Sequence, residues 1–178
     1  MARPTVLSVL ILAGALAAAG CGGSGGGNED LGGGPGRAAY SFHCSACHGR
    51  NGLGSKHLFP PLAGESWVND DPAVAIRVVL KGLEGKLVVE GTEYMNSMPP
   101  LGARLGDAEI AEILTFVRGS FGNRAGPVTA AEVAAERAAV ADRERPWKVE
   151  EMESFRAALR DTAGRSIHGE PGPSGGMR

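Results

Sequence analysis

Cysteines, aromatic side chains and clusters of basic residues are scarce in this sequence. Three of the 178 residues are cysteine, and 5% are aromatic. So few cysteines give no sign of the disulfide scaffold that holds many small exported domains together. Lysine and arginine number 18 against 20 aspartates and glutamates, and they form no cluster, which argues against a nucleic-acid-binding surface.

Long hydrophobic runs are also lacking, apart from one near the N-terminus. Arg3 precedes an apolar stretch over residues 6–19, which is typical of an export signal and short for a transmembrane helix. The stretch ends in Ala18-Ala19-Gly20-Cys21, which resembles a bacterial lipobox. This pattern predicts that Cys21 becomes the lipidated first residue of an exported protein, anchored to a bacterial membrane. The alternative is a secreted protein in which Cys21 is an incidental free thiol, a liability outside the cell.

Glycine, by contrast, is abundant, with nine glycines among the fifteen residues 22–36. A segment of this composition behaves as a flexible coil with a reach of about 20 Å, and it has little apolar surface to bury. We therefore divide the chain into five segments: a lipoprotein-type signal peptide (1–20), a lipidated cysteine with a glycine-rich tether (21–36), a compact domain (37–124), a helical extension (125–160) and a disordered tail (161–178).

The sequence of the compact domain indicates helices joined by loops, so we predict an all-α fold. Asp71 and Pro72 mark a helix start, and Gly82 marks its end. A second helix begins at residue 106 or 107 and carries one apolar stripe. That stripe consists of Ile110, Ile113, Leu114 and Val117.

The other expected elements carry weaker signals. Residues 129–132, Thr-Ala-Ala-Glu, form a capping box that opens an alanine-rich helix of the extension. Further helices are expected at 37–47 and 148–160, an extended stretch at 87–89 and an irregular loop at 91–105. The hydrophobic core of a domain of this size gives only marginal stability, so a large bound apolar group would help the domain to fold.

The pentapeptide Cys44-Ser45-Ala46-Cys47-His48 is the strongest functional signal. CxxCH is the attachment motif of c-type haem: two thiols on one helical turn reach neighbouring vinyl groups, and the histidine ligates the iron. Zinc would usually need a second ligand pair, and the chain offers none. A thioredoxin-like dithiol would need a βαβ context, and no strand-rich run precedes Cys44. We therefore predict one covalent haem c held by Cys44, Cys47 and His48.

Met98 is the candidate for the second axial iron ligand. It precedes Pro99-Pro100, whose restricted backbone stiffens the loop that would hold a weak thioether on the metal. A neutral thioether also favours ferrous iron and raises the reduction potential. An open site remains an alternative, and the competing side chains are Met95, Met152, His43, His57 and His168.

In their order, these motifs resemble a bacterial class I cytochrome c over about residues 36–124. The further segments that carry the resemblance are Pro60-Pro61-Leu62-Ala63-Gly64, Leu105-Gly106-Asp107 through Phe116-Val117-Arg118, and Phe121-Gly122-Asn123. The resemblance implies a helical bundle whose first and last core helices cross near Tyr40 and Phe116. It also implies that a proline carbonyl, of Pro60 in preference to Pro61, accepts a hydrogen bond from His48.

The expected function is that of a periplasmic, lipid-anchored electron carrier with no catalytic residues of its own. Its partners would be a donor and an acceptor redox protein, with neither nucleic acid nor a small-molecule substrate. The alternatives are a haem subunit of a periplasmic dehydrogenase or nitrite reductase complex, a peroxidase-like protein, and a haem-based gas sensor. The extension at 125–160, which resembles tails of dehydrogenase-associated relatives, is expected either to dock a partner or to wrap the domain.

Overall fold

A computed structural model describes residues 34–64 and 66–168. The signal peptide, Cys21 and most of the tether lie outside these residues. The described chain is mainly helical, which confirms the all-α prediction. Its helices are α1 (Pro35–His43), α2 (Ser45–His48), α3 (Ser66–Asn69), α4 (Pro72–Lys81), α5 (Asp107–Arg118), α6 (Ala130–Ala139) and α7 (Val149–His168). Its strands are β1 (Leu83–Glu84), β2 (Leu87–Val89), β3 (Thr92–Tyr94) and β4 (Trp147–Lys148).

The predicted helix boundaries agree with the structure where capping signals were present. The Asp71 carboxylate accepts a hydrogen bond from the Ala73 N–H (2.9 Å), and α4 ends at Gly82 with φ of 80°. Gly106 stands at the N-cap of α5 without a side-chain hydrogen bond. The capping box at Thr129 and Glu132 is formed as predicted.

Helices α1 and α5 cross at the centre of the domain. Tyr40 is only 1% exposed, and its ring centroid lies 5.4 Å from that of Phe116. The helices approach closely because Gly36 has no side chain: a Cβ there would lie 2.2 Å from the main-chain oxygen of Glu112. The apolar stripe of α5 faces this crossing, and its four members are buried.

The strands differ from the prediction. The extended stretch at 87–89 is strand β2, but it pairs antiparallel with β3 inside the region 91–105 that was expected to be an irregular loop. Glu90 and Gly91 close this hairpin with positive φ angles of 47° and 75°. Strand β1 pairs in parallel with β4 of the extension, a contact that no local pattern indicates.

The extension packs on the domain as part of one hydrophobic cluster. Val133, Val140 and Val128 join the buried side chains of α4 and α5, and Met152 on α7 is fully buried. The expectation of disorder from residue 161 was wrong for residues 161–168, since α7 continues to His168. Residues 169–178 lie outside the described part. Within the described ranges, no helix is both long and apolar enough to cross a membrane.

Candidate functional site

The two cysteines of the CxxCH motif lie on a single turn: Cys44 is the N-cap of α2, and Cys47 lies within α2. The Cys44 carbonyl accepts hydrogen bonds from the N–H groups of Cys47 (3.2 Å) and His48 (3.0 Å). Cys44 is half-buried and Cys47 is exposed, and both are free thiols. This turn therefore presents two thiols and an imidazole within five consecutive residues.

The environment of Cys44 is unlike that of a redox-active dithiol. Burial, and secondly the charge of Cys47, raise the pKa of the Cys44 thiol to about 11. Reactive CxxC cysteines instead have lowered pKa values, because the thiolate is the attacking form. The structure therefore gives no support to thioredoxin-like chemistry at this turn.

His48 is oriented by a main-chain carbonyl. Its Nδ1 lies 3.0 Å from the carbonyl oxygen of Pro60, so Nδ1 carries the proton and donates a hydrogen bond to that oxygen. Burial lowers the pKa of His48, and the hydrogen bond to Pro60 opposes this effect. A neutral imidazole that donates through Nδ1 keeps a lone pair on Nε2, which is the atom a metal would bind.

Gly54 fixes the position of the Pro60 carbonyl. The Gly54 N–H donates to the His48 carbonyl (2.8 Å), and its φ is 63°. A Cβ at this position would lie 2.2 Å from the Phe59 oxygen and 2.7 Å from the Pro60 oxygen. The loop can therefore fold back onto His48 only with glycine at residue 54. The sequence marked Gly54 as a loop residue but gave no sign of this close approach.

Met98 is tied by its main chain to strand β1. Its N–H donates to the Leu83 carbonyl (2.8 Å), and its carbonyl accepts from the Leu83 N–H (3.0 Å). The Met98 side chain is half-buried and packs against the main hydrophobic cluster. Met95, the competing methionine three residues earlier, is 63% exposed.

Asn123 joins the loop after the motif to the end of α5. Its side-chain amide donates to the carbonyls of Leu62 (2.8 Å) and Val117 (2.9 Å). Its side-chain oxygen accepts from the Gly64 N–H (2.9 Å) and from the Asn69 amide (3.0 Å). Asn123 is 5% exposed, and all four of these bonds lie within or beside the domain core. The sequence analysis included Asn123 in the Phe121-Gly122-Asn123 segment of the family resemblance but predicted no role for it. Most of its hydrogen-bond partners lie far away in the chain, so no local pattern indicates them.

Arg118 is the second buried polar residue that the sequence did not single out. Its guanidinium donates to the carbonyls of Val68 (2.6 Å) and Asp70 (2.8 Å), and also to Gly126 (2.9 Å). Burial lowers the pKa of Arg118, against the attraction of the nearby carboxylates. Arg118 thus fastens α3 and the start of the extension to the end of α5.

The donor set fits a covalent haem. Two free thiols lie on one turn, the neighbouring imidazole keeps Nε2 available, and a thioether sits on a braced loop. Among residues 34–64 and 66–168, no group of three or more His, Cys, Asp and Glu side chains could hold a metal ion. The site therefore lacks the closed N/S/O ligand set of a structural zinc centre.

Comparison with known proteins agrees with this chemistry. Residues 34–120 match the Cytochrome c family. The chain is 37% identical over 107 residues to the gluconate 2-dehydrogenase cytochrome c subunit of Pantoea cypripedii, covering 56% of this chain and 23% of that protein. It is 36% identical over 104 residues to the alcohol dehydrogenase (quinone) cytochrome c subunit of Gluconobacter oxydans (strain 621H), covering 57% and 21%. It is 37% identical over 84 residues to cytochrome c-552 of Thermus thermophilus, covering 45% and 63%.

Proposed function

We propose that this chain, whose residues 34–120 match the Cytochrome c family, carries single electrons between redox proteins through one covalently attached haem. The observation that carries the proposal is the CxxCH turn, in which the Pro60 carbonyl holds His48 with Nε2 available. The chain spans less than a quarter of the length of the two dehydrogenase subunits it matches.

Each residue of the site has a distinct role in this proposal. Cys44 and Cys47 would hold the porphyrin through thioether bonds, and His48 would ligate the iron through the lone pair of Nε2. The Pro60 carbonyl accepts the Nδ1 proton and makes the imidazole a stronger electron donor. When bound, the haem supplies a one-electron couple between ferric and ferrous iron. No side chain of the site needs to take part in bond-making chemistry on a substrate.

Met98 is the proposed second axial ligand. Its burial against the core and its two main-chain bonds to Leu83 support this choice over the exposed Met95. A thioether on a braced loop keeps the coordination the same in both oxidation states, and an unchanged coordination sphere lowers the reorganisation that accompanies electron transfer. Its neutral, soft sulfur raises the reduction potential.

The proposed location is the periplasmic side of a bacterial membrane. The apolar segment at 6–19 is the export signal, Cys21 is the lipidated residue, and the glycine-rich segment that follows is the tether. A coil of this length would let the domain reach about 20 Å from its anchor. The haem domain would then meet both membrane-bound and soluble redox proteins.

The second candidate is a haem subunit of an oxidoreductase complex. It is favoured by the names of two of the similar proteins, which are cytochrome c subunits of gluconate and alcohol dehydrogenases. A free carrier would purify as a single chain, whereas a subunit would co-purify with a catalytic subunit under mild detergent. Size-exclusion chromatography of the detergent-extracted native protein, followed by mass spectrometry, separates the two.

The ligand assignment is tested with Met98→Ala. We expect this variant to keep covalent haem on a denaturing gel, because Cys44 and Cys47 are unchanged, but to lose the near-infrared iron–sulfur absorption band. Met95→Ala is the matched control and should keep the band. A Met98→Ala protein that still shows the band would rule out Met98 as the ligand.

A further inference from the structure

The loop that carries Met98 rests on the C-terminal end of α4. We call residues 98–106 the ligand loop. Within it, the Leu101 N–H donates to the Val79 carbonyl (2.9 Å), and the Gly102 N–H donates to the Leu80 carbonyl (3.2 Å). These are carbonyls of the last turn of α4, which have no partner inside the helix. The ligand loop therefore caps α4, and any movement of this loop exposes those carbonyls.

One arginine of the extension binds the C-terminal half of the ligand loop through hydrogen bonds. Arg137 on α6 donates from its two Nη atoms to the carbonyls of Gly102 (2.5 Å) and Leu105 (3.0 Å). Its Nε also pairs with the Asp107 carboxylate (2.7 Å) at the start of α5. A guanidinium is a planar fork with five donors, so this single side chain fixes three groups in one geometry.

The extension acts on the N-terminal half of the ligand loop, which contains Met98, through Gly82 and strand β1. The Gly82 face that lacks a side chain abuts the loop: a Cβ there would lie 2.5 Å from the Met98 oxygen. The Gly82 carbonyl accepts a hydrogen bond from the Trp147 N–H (3.1 Å) of the extension. Leu83 then forms a bridge with Met98 and is the register partner of Trp147 in the parallel pair. Strand β1 is thus held between Met98 and the extension.

Side chains of α4 and of the extension hold strand β4 in this position. The Arg143 guanidinium stacks on the Trp147 ring at 3.6 Å, and it pairs with Glu151. Lys81, the last residue of α4, donates to the Arg143 carbonyl (2.7 Å). These contacts place Trp147 beside Gly82 through side chains as well as through the short strand pair.

We propose that the C-terminal extension holds Met98 in place, with Arg137 and Trp147 as positioning residues that act through the ligand loop. This inference rests on the proposed role of Met98 as the axial ligand. A thioether is a weak ligand, so the fraction of time it spends on the metal depends on how firmly its loop is held. Without the extension, the ligand loop would keep only its bonds to α4 and to Leu83.

The test is competition by imidazole for the ferric protein, monitored through the near-infrared iron–sulfur band. An external ligand binds only when Met98 has left, so its apparent affinity reports the fraction of protein with Met98 released. For Arg137→Met, we expect imidazole to bind more tightly by at least about tenfold, since three charge-assisted hydrogen bonds are lost. Arg137→Lys keeps the charge beside Asp107 without the fork and should give an intermediate value.

Arg156→Met is the matched control. Arg156 lies on α7 and pairs with Asp70 (2.6 Å) beside the N-terminal end of α4, at the opposite end from the ligand loop. Like Arg137→Met, this variant removes an arginine of the extension, in this case a buried one. We therefore expect it to lower the melting temperature without changing the contacts of Met98. We expect its imidazole affinity to equal that of the wild type. Equal affinities for Arg137→Met and Arg156→Met would overturn the inference.

A second pair of variants addresses the main-chain contact at Trp147. Trp147→Ala removes the ring, and Trp147→Pro removes the ring together with the N–H that bonds to Gly82. We expect Trp147→Pro to bind imidazole roughly fivefold more tightly than Trp147→Ala, the value of one main-chain hydrogen bond. No difference between them would exclude the route through β1. If Met98→Ala instead keeps the iron–sulfur band, the ligand assignment itself fails, which is a separate outcome from failure of the positioning role.

Discussion

At the scale of single residues, the site depends on main-chain groups as much as on side chains. His48 is oriented by the Pro60 carbonyl, and that carbonyl is placed by the close approach of Gly54. The CxxCH motif predicts the donors from sequence, because their spacing is local. The role of Gly54 could not be predicted, since it depends on a contact with the Phe59 and Pro60 oxygens that only the folded loop creates.

Gly54→Ala is expected to disturb His48. Its φ of 63° strains any residue with a side chain, and the added methyl would press on the Pro60 oxygen. We expect a loss of about 1–3 kcal/mol in unfolding free energy, measured by chemical denaturation. A weakened hydrogen bond would also make His48, the proposed iron ligand, a poorer donor to ferric iron, so the reduction potential should rise.

Gly91→Ala is the control that separates the effect of backbone strain from the effect of a methyl group pressing on the Pro60 oxygen. Gly91 has a similar φ of 75°, but nothing lies within 4 Å of the position its Cβ would take. It should therefore lose stability through strain alone and keep the wild-type potential in redox titration. A Gly54→Ala protein with an unchanged potential would show that the Pro60 carbonyl does not tune His48.

At the scale of elements, the helices with local capping signals and the extended stretch at 87–89 were predicted well, whereas strands β1, β3 and β4 were not. α4 and α6 begin at Asp71 and Thr129 as the sequence indicates, because each cap involves residues two or three positions apart. Strands β1 and β4 have two residues each and pair across more than sixty positions of the chain. Such a pairing leaves no periodic pattern, since tertiary packing supplies what propensity does not.

The capping box of α6 should make the stability of the extension depend on pH. Hydrogen bonds from the N–H and hydroxyl of Thr129 lower the pKa of Glu132 below its usual value of 4.5. A carboxyl with a lowered folded-state pKa stabilises the fold above its unfolded pKa, and this contribution disappears as the pH falls through the folded value. We therefore expect Glu132→Gln to be less stable than the wild type at neutral pH, and the difference to shrink in acid.

A double-variant cycle with Thr129→Ala provides the control. Thr129→Ala alone should cost about 1 kcal/mol, a common value for loss of an N-cap. Because the two side chains bond to each other, the double variant should lose less than the sum of the two single losses. Strictly additive losses in urea unfolding at neutral pH would mean that the box does not act as a unit.

At the scale of the whole molecule, the extension and the domain share one hydrophobic core. Val133 and Val140 of the extension lie in the same cluster as Tyr40 and Ile110 of the domain. Arg156 is buried over the Trp67 ring at 4.4 Å and pairs with Asp70. Breaking such a buried ion pair is strongly destabilising, so these contacts fasten α7 to the domain.

The proposed membrane attachment is tested at Cys21. In membrane fractionation after export, we expect the wild type to sediment with membranes, resist high salt and dissolve in detergent. Cys21→Ser should appear in the soluble fraction with its haem intact. Cys44→Ser is the matched control, because it should impair haem attachment while staying with the membrane. Sedimentation of Cys21→Ser with the membranes would argue against a lipid on this residue.

The sequence by itself determined the helical class and the main helix caps, and it predicted the donors of the site. These follow from spacings of a few residues: Cys44 to His48, Asp71 to Ala73, and Thr129 to Glu132. Only the tertiary structure decided that the extension packs against α4, that Arg137 reaches the ligand loop, and that Trp147 lies beside Gly82. The reason is that these contacts join residues far apart in the chain, where long-range packing, rather than local propensity, determines which groups meet.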